Sequence, residues 1–127
     1  GRAVLQVLAI AGGGALGALG RFWVSAGVYR FLGREFPWGT LAVNTLGSFL
    51  MGVLFVLFLD RLSAGPELRS AVLVGFLGAF TTFSTFSMET LSLIEEGFMA
   101  KAFINMWGSV MLCVLACWLG VLLARSL

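Results

Sequence analysis

Charge is what this chain is shortest of. Of its 127 residues, 11% are Asp, Glu, Lys or Arg and 60% are apolar, whereas a soluble domain carries about 25% charged residues. Histidine is absent, which removes the commonest metal ligand and the usual general base. The two cysteines are Cys113 and Cys117. At i and i+4 on one helix their Cβ atoms stand about 5–6 Å apart, beyond the roughly 3.5–4.5 Å of a disulfide. Free thiols on an apolar face are expected. The net charge of +2 is too small and too dispersed for a nucleic-acid footprint. No metal-ligand cluster and no nucleophile–base pair can be assembled, so an enzyme is not expected.

What is abundant is long apolar sequence and glycine. Seventeen glycines against two prolines suit helices packed closely in a bilayer. Ala3–Gly20 is uncharged, with Gln6 its one strongly polar side chain. A signal peptide would fit this stretch in isolation, but three further apolar spans follow it, so a first membrane helix reaching toward Phe31 is expected. Gly12-x-Gly14-x-x-Gly17 matches a dinucleotide fingerprint in form only, with no strand before it. Gly13 and Gly17 instead read as a close-approach surface for another helix.

After the loop Arg30–Pro37, Trp38–Leu59 is uncharged for 22 residues, enough to cross about 30 Å of hydrocarbon. Asp60–Arg69 reads as a second loop broken by Gly65-Pro66. Ser70–Met88 reads as the third span, ending at Glu89 at the interface. Glu95, Glu96, Gly97 and Lys101 mark a third loop, and Ala102–Ala124 is the fourth span. Residues 1–127 are therefore one all-α, four-helix transmembrane domain.

Four spans place the N-terminus, the second loop and the C-terminus on one side. Arg2, Arg61, Arg69 and Arg125 lie there, against Arg30, Arg34 and Lys101 opposite. Four against three is hardly a bias, and orientation follows the Lys/Arg bias. Such a chain can insert both ways, so that two copies meet antiparallel, as inverted repeats do.

The third span holds the chemistry. Thr81, Thr82, Ser84, Thr85 and Ser87 put five hydroxyls in seven residues, interleaved with Phe80, Phe83 and Phe86. Hydrocarbon tolerates such groups only against a neighbour or a polar passage. Gly75 and Gly78 weaken the helix by roughly 1 kcal/mol each against alanine, and hydroxyls bonding back to i−4 carbonyls loosen it further. A break around Gly78–Thr81 is expected, exposing carbonyls that suit sodium and amides that suit an anion. Phe83 and Phe86 either pack or turn their partially positive edges to a small anion. Asn44, embedded in the second span, either cross-links helices or offers its amide to an anion. Arg21 either snorkels or stands as a cation at a pore mouth. Asn105, Ser109 and Cys113 share one face of the fourth helix.

Gly75-Phe-Leu-Gly78, then Thr81-Thr-Phe83-Ser-Thr-Phe86-Ser and Glu89-Thr, resembles the signature of the Fluc fluoride-channel family. So do Trp38-Gly-Thr40-Leu-x-Val-Asn44, Gly17-x-x-x-Arg21 and Gly108-Ser109, in order through all four spans. The resemblance implies an antiparallel dual-topology dimer with two fluoride pores in the plasma (inner) membrane. It makes Phe83 and Phe86 an aromatic box, Asn44 a fluoride ligand and Arg21 a vestibule cation. Thr82, Ser84, Thr85, Asn105 and Ser109 become polar tracks, with Glu89 near their end. The backbone carbonyls of Gly78 and Thr81 from both subunits would hold a central structural Na+. Cys113 departs from members that carry threonine there, and a thiol donates weakly. A small proton-coupled exporter, wanting a deep carboxylate, and a non-conducting accessory subunit are the competing readings.

Overall fold

In hydrocarbon a backbone must satisfy its amides within itself, and the chain is helical throughout, with no strand. The computed structural model describes Gly1–Leu127. Its four candidate membrane spans are Arg2–Leu32, Trp38–Asp60, Pro66–Glu95 and Met99–Arg125. At 1.5 Å per residue the 31-residue first helix is roughly 46 Å long, so it tilts or projects beyond the hydrocarbon.

Two span boundaries differ from those expected. The third span begins at Pro66, not Ser70, and ends at Glu95, not Met88. Proline is at home in the first turn of a helix, where its missing N–H costs nothing. Glu67 in that turn is held by Arg2 Nε at 3.0 Å, so charged residues extend the helix at the interface and do not stop it. Glu89 likewise lies inside the second half of the span, because the fold supplies it with a partner. The fourth helix starts at Met99, ahead of Ala102, with Lys101 Nζ 4.7 Å over the Phe98 ring.

The third span is discontinuous, as expected. Its first half runs through Pro66–Arg69, a π-helical stretch Ser70–Leu77 and a last turn Gly78–Phe80. Thr81 and Thr82 are extended, and Phe83–Glu95 is the second half. Gly78 itself stays helical. The break therefore falls at the hydroxyl pair and not at the glycine.

Backbone-to-backbone packing explains where the glycines went. A Cβ on Gly13 would strike the Ala71 carbonyl, one on Gly17 the Phe76 carbonyl, and one on Gly75 the Ile10 carbonyl. The first helix thus lies directly against the π-helical stretch. Gln6 crosses the same interface to donate to Ser70 Oγ at 2.9 Å. The second and fourth helices use the same device, Gly52 facing the Cys117 carbonyl and Gly120 the Phe49 carbonyl.

Arg2–Glu67 and Arg61 Nη1–Leu127 carbonyl (2.7 Å) gather both termini and the second loop at one end. Only 21 of 127 residues are buried, too few for the core of a water-soluble domain of this size. Trp23, Trp107 and Trp118 are all more than half exposed. That apolar exterior requires lipid around it.

Candidate functional site

The break is held open by a residue from another helix. Asn44 Oδ1 accepts from the Thr82 N–H at 2.7 Å, and Asn44 Nδ2 donates to the Thr82 carbonyl at 3.0 Å. The side-chain amide thereby replaces the helical partners Thr82 lacks. One Nδ2 hydrogen remains beyond this pair, because an amide nitrogen carries two.

Thr82 then caps the second half-helix. Its Oγ1 accepts from the Thr85 N–H at 3.2 Å and donates to Thr85 Oγ1 at 3.0 Å, with Ser84 Oγ at 3.4 Å. Threonine is a favoured N-cap for this reason. The positive end of the half-helix dipole sits at Phe83. On the other side of the break, Arg21 Nε donates to the Ala79 carbonyl at 3.0 Å. This puts a cation at the negative end of the first half. Arg21 is thus anchored at the depth of the break, not out at the interface.

Two carbonyls at the break lose their usual partners. The Thr82 N–H, which would cover the Gly78 carbonyl in an unbroken helix, goes to Asn44. The Thr85 N–H, which would cover that of Thr81, goes to Thr82 Oγ1. Gly78 is exposed and nothing within 3.9 Å crowds its missing side chain.

Beside the break runs an open groove of about 420 Å³. Asn44, Ser48 and Met51 line it from the second helix, Gly78, Thr82, Phe83 and Phe86 from the third span, and Ser109, Cys113 and Cys117 from the fourth. The Phe83 and Phe86 rings lie 5.3 Å apart at 35°. Phe86 is 9% exposed and Phe83 76%, so one ring belongs to the wall and the other projects from it.

A continuous polar line leads away from Phe86. Ser109 Oγ donates to Asn105 Oδ1 at 3.1 Å, Asn105 Nδ2 to Thr90 Oγ1 at 2.8 Å, and Thr90 Oγ1 to the Phe86 carbonyl at 2.7 Å. Asn105, Ser109 and Thr90 are all buried. Cys113 does not continue this line. Its Sγ instead stands 3.8 Å from Thr45 Oγ1 on the second helix. Ser87 Oγ bonds back to the Phe83 carbonyl at 2.9 Å.

Glu89 lies one helical turn beyond Phe86. Its Oε2 accepts from Tyr29 Oη at 2.7 Å, and Tyr29 Oη is 3.3 Å from Thr40 Oγ1. Glu89 Oε1 is buried with no hydrogen-bond partner. Tyr29 and Thr90 were not among the expected site residues. Tyr29 is the single tyrosine of the chain, and a phenol on a membrane helix needs a partner for its hydroxyl. That was the available signal. Gly39 makes room for it, since a Cβ there would strike the Tyr29 ring.

Residues 8–121 match the family described as CrcB-like protein, Camphor Resistance (CrcB). A Fluoride-specific ion channel FluC from Magnetococcus marinus is 56% identical over 121 residues, 95% of this chain and 98% of that one. Another with the same name from Hydrogenovibrio crunogenus is 53% identical over 118 residues, 93% and 89% of the two chains. A third, from Methylococcus capsulatus, is 60% identical over 123 residues, 97% of this chain. The chain spans about half the length of that relative, 54%. With four spans and these relatives, the chain is a multi-pass membrane protein that belongs to the CrcB-like family.

Proposed function

We propose that two copies of this chain, inserted in opposite orientations, form a passive fluoride-selective channel that exports F− across the plasma (inner) membrane. The observation that carries the reading is the groove at the break. There amide, hydroxyl and aromatic ring converge on a mid-span helix terminus in a chain whose relatives are named fluoride-specific channels. A small anion gives up its water only to several well-placed donors. The spare Asn44 amide hydrogen, the ring edges of Phe83 and Phe86 and the dipole of Phe83–Glu95 all present partial positive charge. Thr82, Ser84, Thr85, Asn105 and Ser109 extend the polar route on either side. Arg21 draws anions toward it.

A single chain supplies one wall of an open groove and leaves Phe83 uncovered. A second copy closes it, and the near-balance of basic residues lets that copy insert upside down. The Gly78 and Thr81 carbonyls suit a hard cation. A sodium ion shared by both copies' carbonyls would supply a fixed positive charge between the two breaks.

The test is an ion-selective-electrode record from liposomes holding the pure protein. Fluoride is released while chloride is retained; equal loss of both, or of neither, overturns the reading. Reporters fused to the C-terminus should be found on both sides of the membrane. One observation favours a second reading, a proton-coupled exporter: Glu89 sits within a span with an unpartnered buried oxygen, where a coupling carboxylate would stand. Uphill fluoride flux driven by a pH gradient would select that reading over the channel.

A further inference from the structure

Three sulfur-bearing side chains line the groove, and neither the break nor the polar line uses them: Cys113 and Cys117 on the fourth helix and Met51 on the second. We infer that they form a binding site for a soft, thiophilic d10 cation of the Cu(I), Ag(I) or Hg(II) class. Thiolate and thioether are the ligands that select such ions. The separation fits. Two metal–sulfur bonds of about 2.3 Å each in line hold the sulfurs roughly 4.6 Å apart, and Cβ atoms about 5–6 Å apart at i and i+4 reach that without moving the backbone. The spacing that is too wide for a disulfide is thus suited to a bridging ion.

The packing aligns the third ligand. Cys113 Sγ points at the second helix, 3.8 Å from Thr45 Oγ1. One turn on, the Cys117 backbone meets Gly52, the neighbour of Met51. The second and fourth helices run in parallel at this contact, so Met51 arrives level with Cys117, across the groove from it. Both cysteines are free and half-buried, and both line the groove that an entering ion would use. Binding replaces two S–H protons with one metal: Hg2+ and two thiols give a bis-thiolate and two protons. No carboxylate or histidine competes for the ion, because the groove has none.

The test titrates HgCl2 into the detergent-solubilised full chain, following the sulfur-to-mercury charge-transfer absorption and proton release. One Hg2+ per chain with two protons released is expected. Cys113→Ser or Cys117→Ser should each lower affinity by more than about a hundredfold, beyond the roughly 10–100-fold loss of an outer-shell partner, and Met51→Leu by a smaller factor. Two Hg2+ per chain, or unchanged affinity in both serine variants, overturns the site. A monofunctional organomercurial should instead bind twice per chain, which confirms that both thiols are reachable; none bound means they are not, and also overturns it. The site rests on binding alone. Fluoride efflux is a separate arm: if one Hg2+ binds and efflux continues, the sulfur end of the groove lies off the ion path and the metal site stands, whereas no efflux from the metal-free protein defeats the function proposed above and leaves the metal site untouched.

Discussion

Replacing Asn44 by leucine is the sharpest perturbation available, because one side chain completes both polar groups of an extended residue inside the membrane. Leucine has the same branched heavy-atom shape, so no cavity is made, but the Thr82 N–H (2.7 Å) and carbonyl (3.0 Å) both lose their partner. A buried group left unpaired costs about 1–3 kcal/mol, which for two groups is about 2–6 kcal/mol. Side-chain hydrogen bonds between membrane helices average nearer 0.6 kcal/mol, since the unfolded chain in lipid also finds partners. The lower end, about 2 kcal/mol, is therefore the expectation. It corresponds to a fall in thermal midpoint on the order of 5–10 °C, read by a thiol- or tryptophan-based melt in detergent. Asn44→Asp is the informative companion. It keeps the acceptor for the Thr82 N–H, loses the donor to the carbonyl and adds a charge that repels an anion. It should melt no higher than the leucine variant, because the charge is unpaired at that depth, and pass less fluoride than wild type. A leucine variant melting within about 1 °C of wild type would refute the claim that Asn44 holds the break.

Phe83→Ile should slow fluoride release sharply while each subunit still folds, because the ring is 76% exposed within one chain; normal flux would reduce it to a lipid-facing residue. Phe86→Ile should slow flux and also cost about 1 kcal/mol, since that ring is buried and some packing is lost, measured by the same two assays. Gly17→Ala should destabilise the fold by several degrees, because its methyl meets the Phe76 carbonyl, whereas Gly12→Ala, with nothing within 4 Å, should leave the melt unchanged or raise it slightly. Equal effects at the two glycines would remove the close-approach account of the first helix. Tyr29→Phe should strip Glu89 of its one side-chain partner and lower the thermal midpoint, and Glu89→Gln made on top of it should recover part of the loss by removing the charge.

Much of this was legible from composition and spacing. Four uncharged stretches dictate four helices, and the cluster of hydroxyls from Thr81 to Ser87 marks the place where one of them fails. The glycine pair Gly13 and Gly17 announced a backbone contact, and the structure places the π-helical stretch against it. Less legible was why the chain breaks where it does. Gly78 looked like the weak point, yet it remains helical, because the deciding partner is Asn44, 38 residues away. No local pattern encodes a contact of that range. The π-helical geometry of Ser70–Leu77 is hidden for a related reason: its residues suit an α-helix equally well, and tertiary contact with the first helix accompanies the wider winding. Charge normally marks an interface, so the sequence alone places the end of the third span near Glu89. Tyr29 overrides that rule by giving the carboxylate a partner inside the protein.

An unwound segment in the middle of a bilayer survives only where its polar groups are covered by protein or face a polar cavity, and the accounts at this break nearly close. Thr81 N–H and Oγ1 both return to the Leu77 carbonyl, at 3.2 and 3.0 Å. Arg21 covers Ala79, and Asn44 covers both sides of Thr82. What the chain does not cover from within its own helix is the pair of carbonyls at Gly78 and Thr81 and the projecting ring of Phe83, and all three line the groove. The fold uses an arginine and an asparagine to stabilise a gap and leaves those groups uncovered by its own helix. In the function proposed above, the ring would meet apolar contact from a second copy and the carbonyls a cation. Both demands point to the same surface, so a variant that weakens one should weaken the other: crowding the carbonyls by Gly78→Val should lower both the sodium dependence of the thermal midpoint and the dimer fraction seen by crosslinking. Loss of one with full retention of the other would separate the two demands and leave the gap without a common cause.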